Sequence, residues 1–147
     1  MPRARGYFRG GRRRPYIRVR VLLPGLGVAG VIPFLVDTGA DTTTIHWGDR
    51  RLLTTQDGSR LSPDVLIPEF TQALGIASTP VEYGRQPAVL VFSTEDGPSW
   101  VVGARVNIEL APSSIEVPSL LGRDVLSEAR MDFNMPADDL VLDWAVA

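Results

Sequence analysis

Residues 34–45 read FLVDTGADTTTI. An apolar run delivers a carboxylate, Asp37, to what reads as the end of a buried strand, and Thr38 and Gly39 follow at once. Glycine there permits a sharp turn and lets backbone or ligand approach closely. The aspartate is thereby made accessible without being free to move. A second carboxylate, Asp41, stands in the same turn. An aspartate before a glycine also caps turns through its own side chain, so the meaning of Asp37 depends on the rest of the chain.

Upstream, the periodicity is two. YIRVRVLL (16–23) sets Ile17, Val19 and Val21 on one face and Arg18 and Arg20 on the other, as in a half-buried strand. PGLGVAG (24–30) supplies turn residues, and VIPFLV (31–36) runs apolar into Asp37. Residues 16–36 therefore read as a hairpin whose second strand delivers the aspartate. Downstream, PEFTQALG (68–75) reads as a short helix opened by Pro68 and closed by Gly75. PAVLVFS (87–93), the turn TEDGPS (94–99) and WVVGARVNIEL (100–110) return to strands, with Val106, Ile108 and Leu110 alternating against Arg105, Asn107 and Glu109. RDVLSEAR (123–130) has helical spacing, with Val125, Leu126 and Ala129 on one side. MDFN and LVLDW then pair around MPADD. Short strands and tight turns of this kind mark an all-β domain.

Composition narrows the chemistry. A chain of 147 residues is the size of one ordinary domain. It has no cysteine, which excludes disulfides and thiolate metal sites, and its single histidine, His46, cannot by itself make a zinc or histidine-triad site. No metal or other cofactor is expected, and His46 is assigned no role. Trp100 and Trp144 read as core or interface packing. No apolar run approaches the roughly 20 residues needed to cross a bilayer, and the N-terminus lacks the apolar stretch of a secretory signal. The expectation is a soluble, cytoplasmic protein with no membrane partner.

The net charge of −2 hides an asymmetry: all 15 basic residues are arginine, and eight lie in the first 20 positions. MPRARGYFRGGRRRPY (1–16) has the composition of a segment that cannot bury enough surface to fold alone. Residues 1–15 are expected to be a flexible appendage and 16–147 the folded domain. Arginines interleaved with Tyr7 and Phe8 could hold single-stranded nucleic acid or an acidic surface, so any nucleic-acid partner would be reached through this segment. The plainer expectation is a solvated tail.

Residues 117–126, VPSLLGRDVL, supply the match that a lone Asp-Thr-Gly lacks. FLVDTGAD, followed downstream by SLLGRDVL and a short helix, resembles the retropepsin family of aspartic proteases, the single-domain enzymes typified by retroviral proteases. The resemblance implies an all-β, retropepsin-like closed barrel or sandwich with one short C-terminal helix. It implies that Asp37 is catalytic, that Thr38 reaches across a dimer axis, and that Gly39, which supports the active site with Thr38, lies with Ala40 along the substrate backbone. Asp41 and Arg123 match positions that form an ion pair in the family, and Asp41 also borders the substrate.

Two close carboxylates cannot both ionise, so their pKa values are driven apart, leaving one to take a proton from water and one to donate to the scissile carbonyl. With one Asp-Thr-Gly per chain, the resemblance implies a homodimer with the site on its two-fold axis and a peptide or protein substrate. The sequence departs from the family at the flap: retroviral flaps are glycine-rich, whereas STPVEYGRQPAVLV (78–91) has only Gly84 and two prolines. Tyr83, beside Gly84, matches the flap tyrosine of larger pepsin-like relatives, which would bond substrate and exclude water; an ordinary strand tyrosine is the alternative. Two other readings stand beside the peptidase: a catalytically silent dimeric binding module of the same fold, and an arginine-tailed nucleic-acid-binding protein.

Overall fold

A computed structural model of the chain describes residues 2–61, 70–74, 80–112 and 117–144. The molecule is all-β. Its first long hairpin is the one the alternation predicts: β3 (Arg14–Leu23) pairs antiparallel with β4 (Val28–Val36), from Tyr16 opposite Leu35 to Leu23 opposite Val28. Ile17, Val19, Val21 and Leu23 are buried on one face of β3 while Arg18 and Arg20 face solvent. Gly27, at φ +65°, closes the turn in the left-handed region that favours glycine.

The arginine-rich segment is not a free appendage. Residues Arg3–Arg5 form β1 and Tyr7–Arg9 form β2. β2 pairs with β3, from Tyr7 opposite Tyr16 to Arg9 opposite Arg14. β1 pairs with the last strand, β11 (Asp139–Trp144), and buries Ala4 to 1% exposure. Composition misleads here because the segment does not fold alone: its backbone is completed by β11 from the other end of the chain and by the neighbouring β3.

Further along come β5 (Thr44–Ile45), a 3-10 segment over Trp47–Leu52, β6 (Phe70–Leu74), β7 (Pro80–Phe92), β8 (Trp100–Glu109), β9 (Leu120–Leu121), the single-turn helix α1 (Arg123–Leu126) and β10 (Ala129–Asn134). The expected helix over 68–75 gives way to strand β6 where it is described, pairing antiparallel with β7 from Phe70 opposite Gly84 to Leu74 opposite Pro80. Pro68, Glu69 and Gly75 lie outside the described residues. Sheet pairing has overridden a weak local helix signal. Similarly, the helical spacing of 123–130 yields only α1, since Ala129 already opens β10. MDFN and LVLDW pair as expected in the β10–β11 hairpin, whose register runs from Ala129 opposite Trp144 to Asn134 opposite Asp139.

Strands are ordered β2-β3-β4-β9-β5-β8-β7-β6 in the larger sheet and β1-β11-β10 in the smaller. β3 also pairs with β7, so the larger sheet curls back on itself around a core that includes Val19, Ile32, Phe34, Leu90 and Ile108. Trp144 joins the two sheets, its ring 4.7 Å from Phe92 and 6.0 Å from Trp100. In β8 the alternation holds only in part, because Val106, Asn107, Ile108 and Glu109 are all buried. At that end β5 pairs alongside β8 in the sheet, and Glu109 is taken up by His46, Trp47 and Arg50 at and in the 3-10 segment.

Candidate active site

Asp37 follows the last residue of β4, and the backbone fixes it from both sides. Its N–H donates to the Leu121 carbonyl (3.0 Å), and its own carbonyl accepts from the Ala40 N–H (3.2 Å). The carboxylate closes a local turn, with Oδ1 accepting the Gly39 N–H at 2.9 Å. Among the described residues Asp37 has no cationic partner. It is half-buried, while Thr38 and Gly39 are exposed. The result is a carboxylate held at the rim of a turn and left available.

The two sequence motifs meet in space. β4 and β9 run parallel, with Leu35 beside Leu120 and Val36 beside Leu121. The turn after β9 then lies on the turn after β4: Arg123 N–H donates to the Ala40 carbonyl (2.9 Å) and Asp124 N–H to the Asp41 carbonyl (3.3 Å). This approach depends on Gly122, where a Cβ would come within 2.6 Å of the Thr42 backbone. The Arg123 guanidinium forms an ion pair with the Asp41 carboxylate. Both side chains are largely exposed, at 56% and 79%. An arginine that opens a helix, at its positive dipole end, is thus paired here at the surface and not in the interior.

The buried link between the turns is made by residues that sequence reasoning did not select. Thr43, fully buried, donates from its backbone N–H (3.0 Å) and its Oγ1 (2.8 Å) to the two oxygens of Asp124, and its Oγ1 also accepts the Gly122 N–H (3.1 Å). Asn107 reaches from β8 to donate to Thr42 Oγ1 at 3.1 Å. Asp124, the third residue of GRDV and the second of α1, carries a signal of its own: acids favour the first turn of a helix.

Tyr83 and Gly84 lie in β7 at the base of the β6–β7 hairpin, whose tip is outside the described residues. Tyr83 is buried, its ring 6.1 Å from that of His46, and burial, with the charge of Glu109, pushes its hydroxyl pKa upward. His46, assigned no role from sequence, is a buried structural residue. Its Nδ1 lies 2.9 Å from Glu109 Oε2, the same oxygen that accepts the Trp47 N–H at 2.9 Å. Arg50 donates to the Glu109 carbonyl at 2.9 Å, and burial lowers its pKa against the opposing charge of Glu109. No group of three or more metal-ligating side chains converges among the described residues, and no helix there is long and apolar enough to cross a membrane.

No family model and no curated protein sequence matches the chain. Solved structures are similar to it. EIAV protease complexed with an inhibitor is 20% identical, covering 81% of this chain and 90% of that one with a TM-score of 0.46. A retropepsin-like aspartic protease from Rickettsia conorii is 17% identical, covering 95% of this chain and 88% of that one with a TM-score of 0.48.

Proposed function

We propose that this chain is one subunit of a homodimeric aspartic endopeptidase, with one Asp37 from each copy forming the catalytic pair. The observation that carries the reading is the meeting of FLVDTGAD and SLLGRDVL on adjacent parallel strands, which holds Asp37 at the strand end with no cationic partner among the described residues. One such aspartate per chain supplies half of an acid-base pair, so the second half comes from another copy.

In this reading the pair shares a proton. The ionised carboxylate takes a proton from a water molecule, whose oxygen attacks the scissile carbonyl carbon, while the protonated partner donates to the carbonyl oxygen. The tetrahedral diol then collapses: its hydroxyl proton passes to the carboxylate now ionised, the C–N bond breaks, and the nitrogen takes the proton that the other carboxyl gained from water. Thr38 and Gly39 support the pair, and the exposed turn Gly39–Asp41 runs along the substrate backbone. The Arg123–Asp41 ion pair braces that turn. The β6–β7 hairpin serves as the flap, with Tyr83 and Gly84 at its base.

Digestion of unfolded casein between pH 4 and 7, with and without a statine-type inhibitor, tests the proposal. Inhibitor-sensitive cleavage is expected. A protein that dimerises but releases no peptides at any of these pH values would instead be a silent binding module.

A further inference from the structure

A second concave surface lies apart from Asp37. The turn of the β2–β3 hairpin faces the 3-10 segment Trp47–Leu52 across a cleft of about 930 Å³, whose lining does not include Asp37. Arg9, Arg12 and Arg14 line one side, and Arg51 and Arg60 belong to the same wall system. All five are exposed.

Among the described residues their charge is in excess. Elsewhere Arg3, Arg5, Arg13, Arg123 and Arg130 each meet a carboxylate, whereas none of the five cleft arginines forms an ion pair among the described residues. The one described carboxylate in the lining, Asp49, accepts from the Ser119 hydroxyl at 2.7 Å, and its single charge stands against five guanidinium groups. Arg9 and Arg14 stand directly opposite each other across the β2–β3 ladder. Like charges in that relation destabilise a hairpin, and a bound anion would relieve the repulsion. In a chain of net charge −2 this is a local positive field on an acidic body.

The cleft also contains aromatic rings. Tyr16 and Trp47 are in its lining, both half-buried, and the Arg50 guanidinium lies 4.5 Å from the centre of the Trp47 ring. The Trp47 wall is fixed from below, since its N–H donates to the buried Glu109 and Arg50 bonds the Glu109 carbonyl. Guanidinium groups along a groove, with rings for stacking, suit a chain that alternates phosphates with flat bases. An acidic polypeptide would match the charge and leave the rings without a counterpart.

We propose that this cleft binds an unpaired nucleic-acid strand, its phosphates held by the five arginines and a base stacked against Trp47. The test is fluorescence anisotropy of the full chain with a labelled twelve-nucleotide oligo-dT across a salt series, beside a labelled twelve-residue oligo-glutamate. Oligo-dT should bind at low salt, with log affinity falling against log salt by about 0.7 per phosphate contact. The variant Arg12→Ala/Arg51→Ala/Arg60→Ala should weaken binding at least about tenfold and reduce that slope, while Arg20→Ala/Arg130→Ala, of exposed arginines outside the cleft, should leave both unchanged. If the triple variant does not fold, the single exposed reversal Arg51→Glu gives the same readout. No binding at low salt, equal weakening by both variants, or oligo-glutamate binding as tightly as oligo-dT would each overturn the proposal.

Discussion

Replacing Asp37 by asparagine keeps an oxygen to accept the Gly39 N–H but removes the charge that would activate water. Asp37→Asn should therefore melt with the wild type and release no peptides from casein; a folded mutant that still cleaves above trace levels would end the assignment. The neighbouring pair separates two kinds of residue. Arg123 and Asp41 face solvent, and exposed pairs contribute about 0–1 kcal/mol, so Arg123→Ala should hardly move the melting temperature. Asp124→Ala instead strips two hydrogen bonds from the buried Thr43, and losing such bonds to a charged acceptor costs roughly 1.5–3 kcal/mol. Thermal melts of the two variants side by side check the order, and equal shifts would contradict it. Asp37, Asp41 and Arg123 were legible because they stand in short motifs. Thr43 and Asp124 were not: one sits in a run of three threonines, the other behind a more conspicuous arginine, and only folding makes them partners.

The N-terminal strand is where composition and structure diverge most. Arg3 bonds Asp143, a carboxylate whose side chain is only 5% exposed, and this contact holds the Arg3 guanidinium pKa above its ordinary value. Removing residues 1–12 would strand Asp143 and uncover β11 along the edge that β1 covers. A chain beginning at Arg13 should melt at least about 5 °C lower than the full chain, and an unchanged melt would restore the picture of a solvated tail. The long hairpin β3–β4 was legible because only one face is buried, and alternation records that. The inner end of β8 was not, since Asn107 and Glu109 look solvent-facing until Thr42 bonds the one and the 3-10 segment with His46 bonds the other. Smaller elements carry their own chemistry. In the turn 55–59 the Asp57 carboxylate accepts from Thr55 and Ser59, which lowers its pKa to about 2. A carboxylate whose folded pKa is depressed adds stability above its unfolded value, near pH 4, and loses it as the pH falls through about 2. NMR titration of the Asp57 side chain should give a midpoint near 2, and a midpoint near 4 would show that the turn does not form.

At the scale of the molecule, the proposed reaction rests on counting: one Asp37 per chain and two carboxylates per catalytic pair. A monomer should then be inactive, and specific activity should fall on dilution through the dimer dissociation constant. Dilution alone is ambiguous, because a small dimer can unfold as it dissociates. Subunit mixing avoids this. When equal amounts of wild type and Asp37→Asn exchange freely, random pairing gives each wild-type chain a competent partner about half the time, so activity per wild-type chain should fall to about half. A larger excess of the mutant should suppress it further. Differently tagged subunits, co-purified after mixing, establish that exchange has occurred. If activity per wild-type chain then stays constant, one chain holds a complete site, and a second carboxylate of the same chain must serve as the partner of Asp37. Asp41 is the nearest in sequence, and it is paired with Arg123 at the surface. Arg123→Ala in the same mixing experiment tests Asp41 directly: activity per wild-type chain that still falls to about half leaves the two-chain site standing, and activity that stays constant makes Asp41 the partner of Asp37.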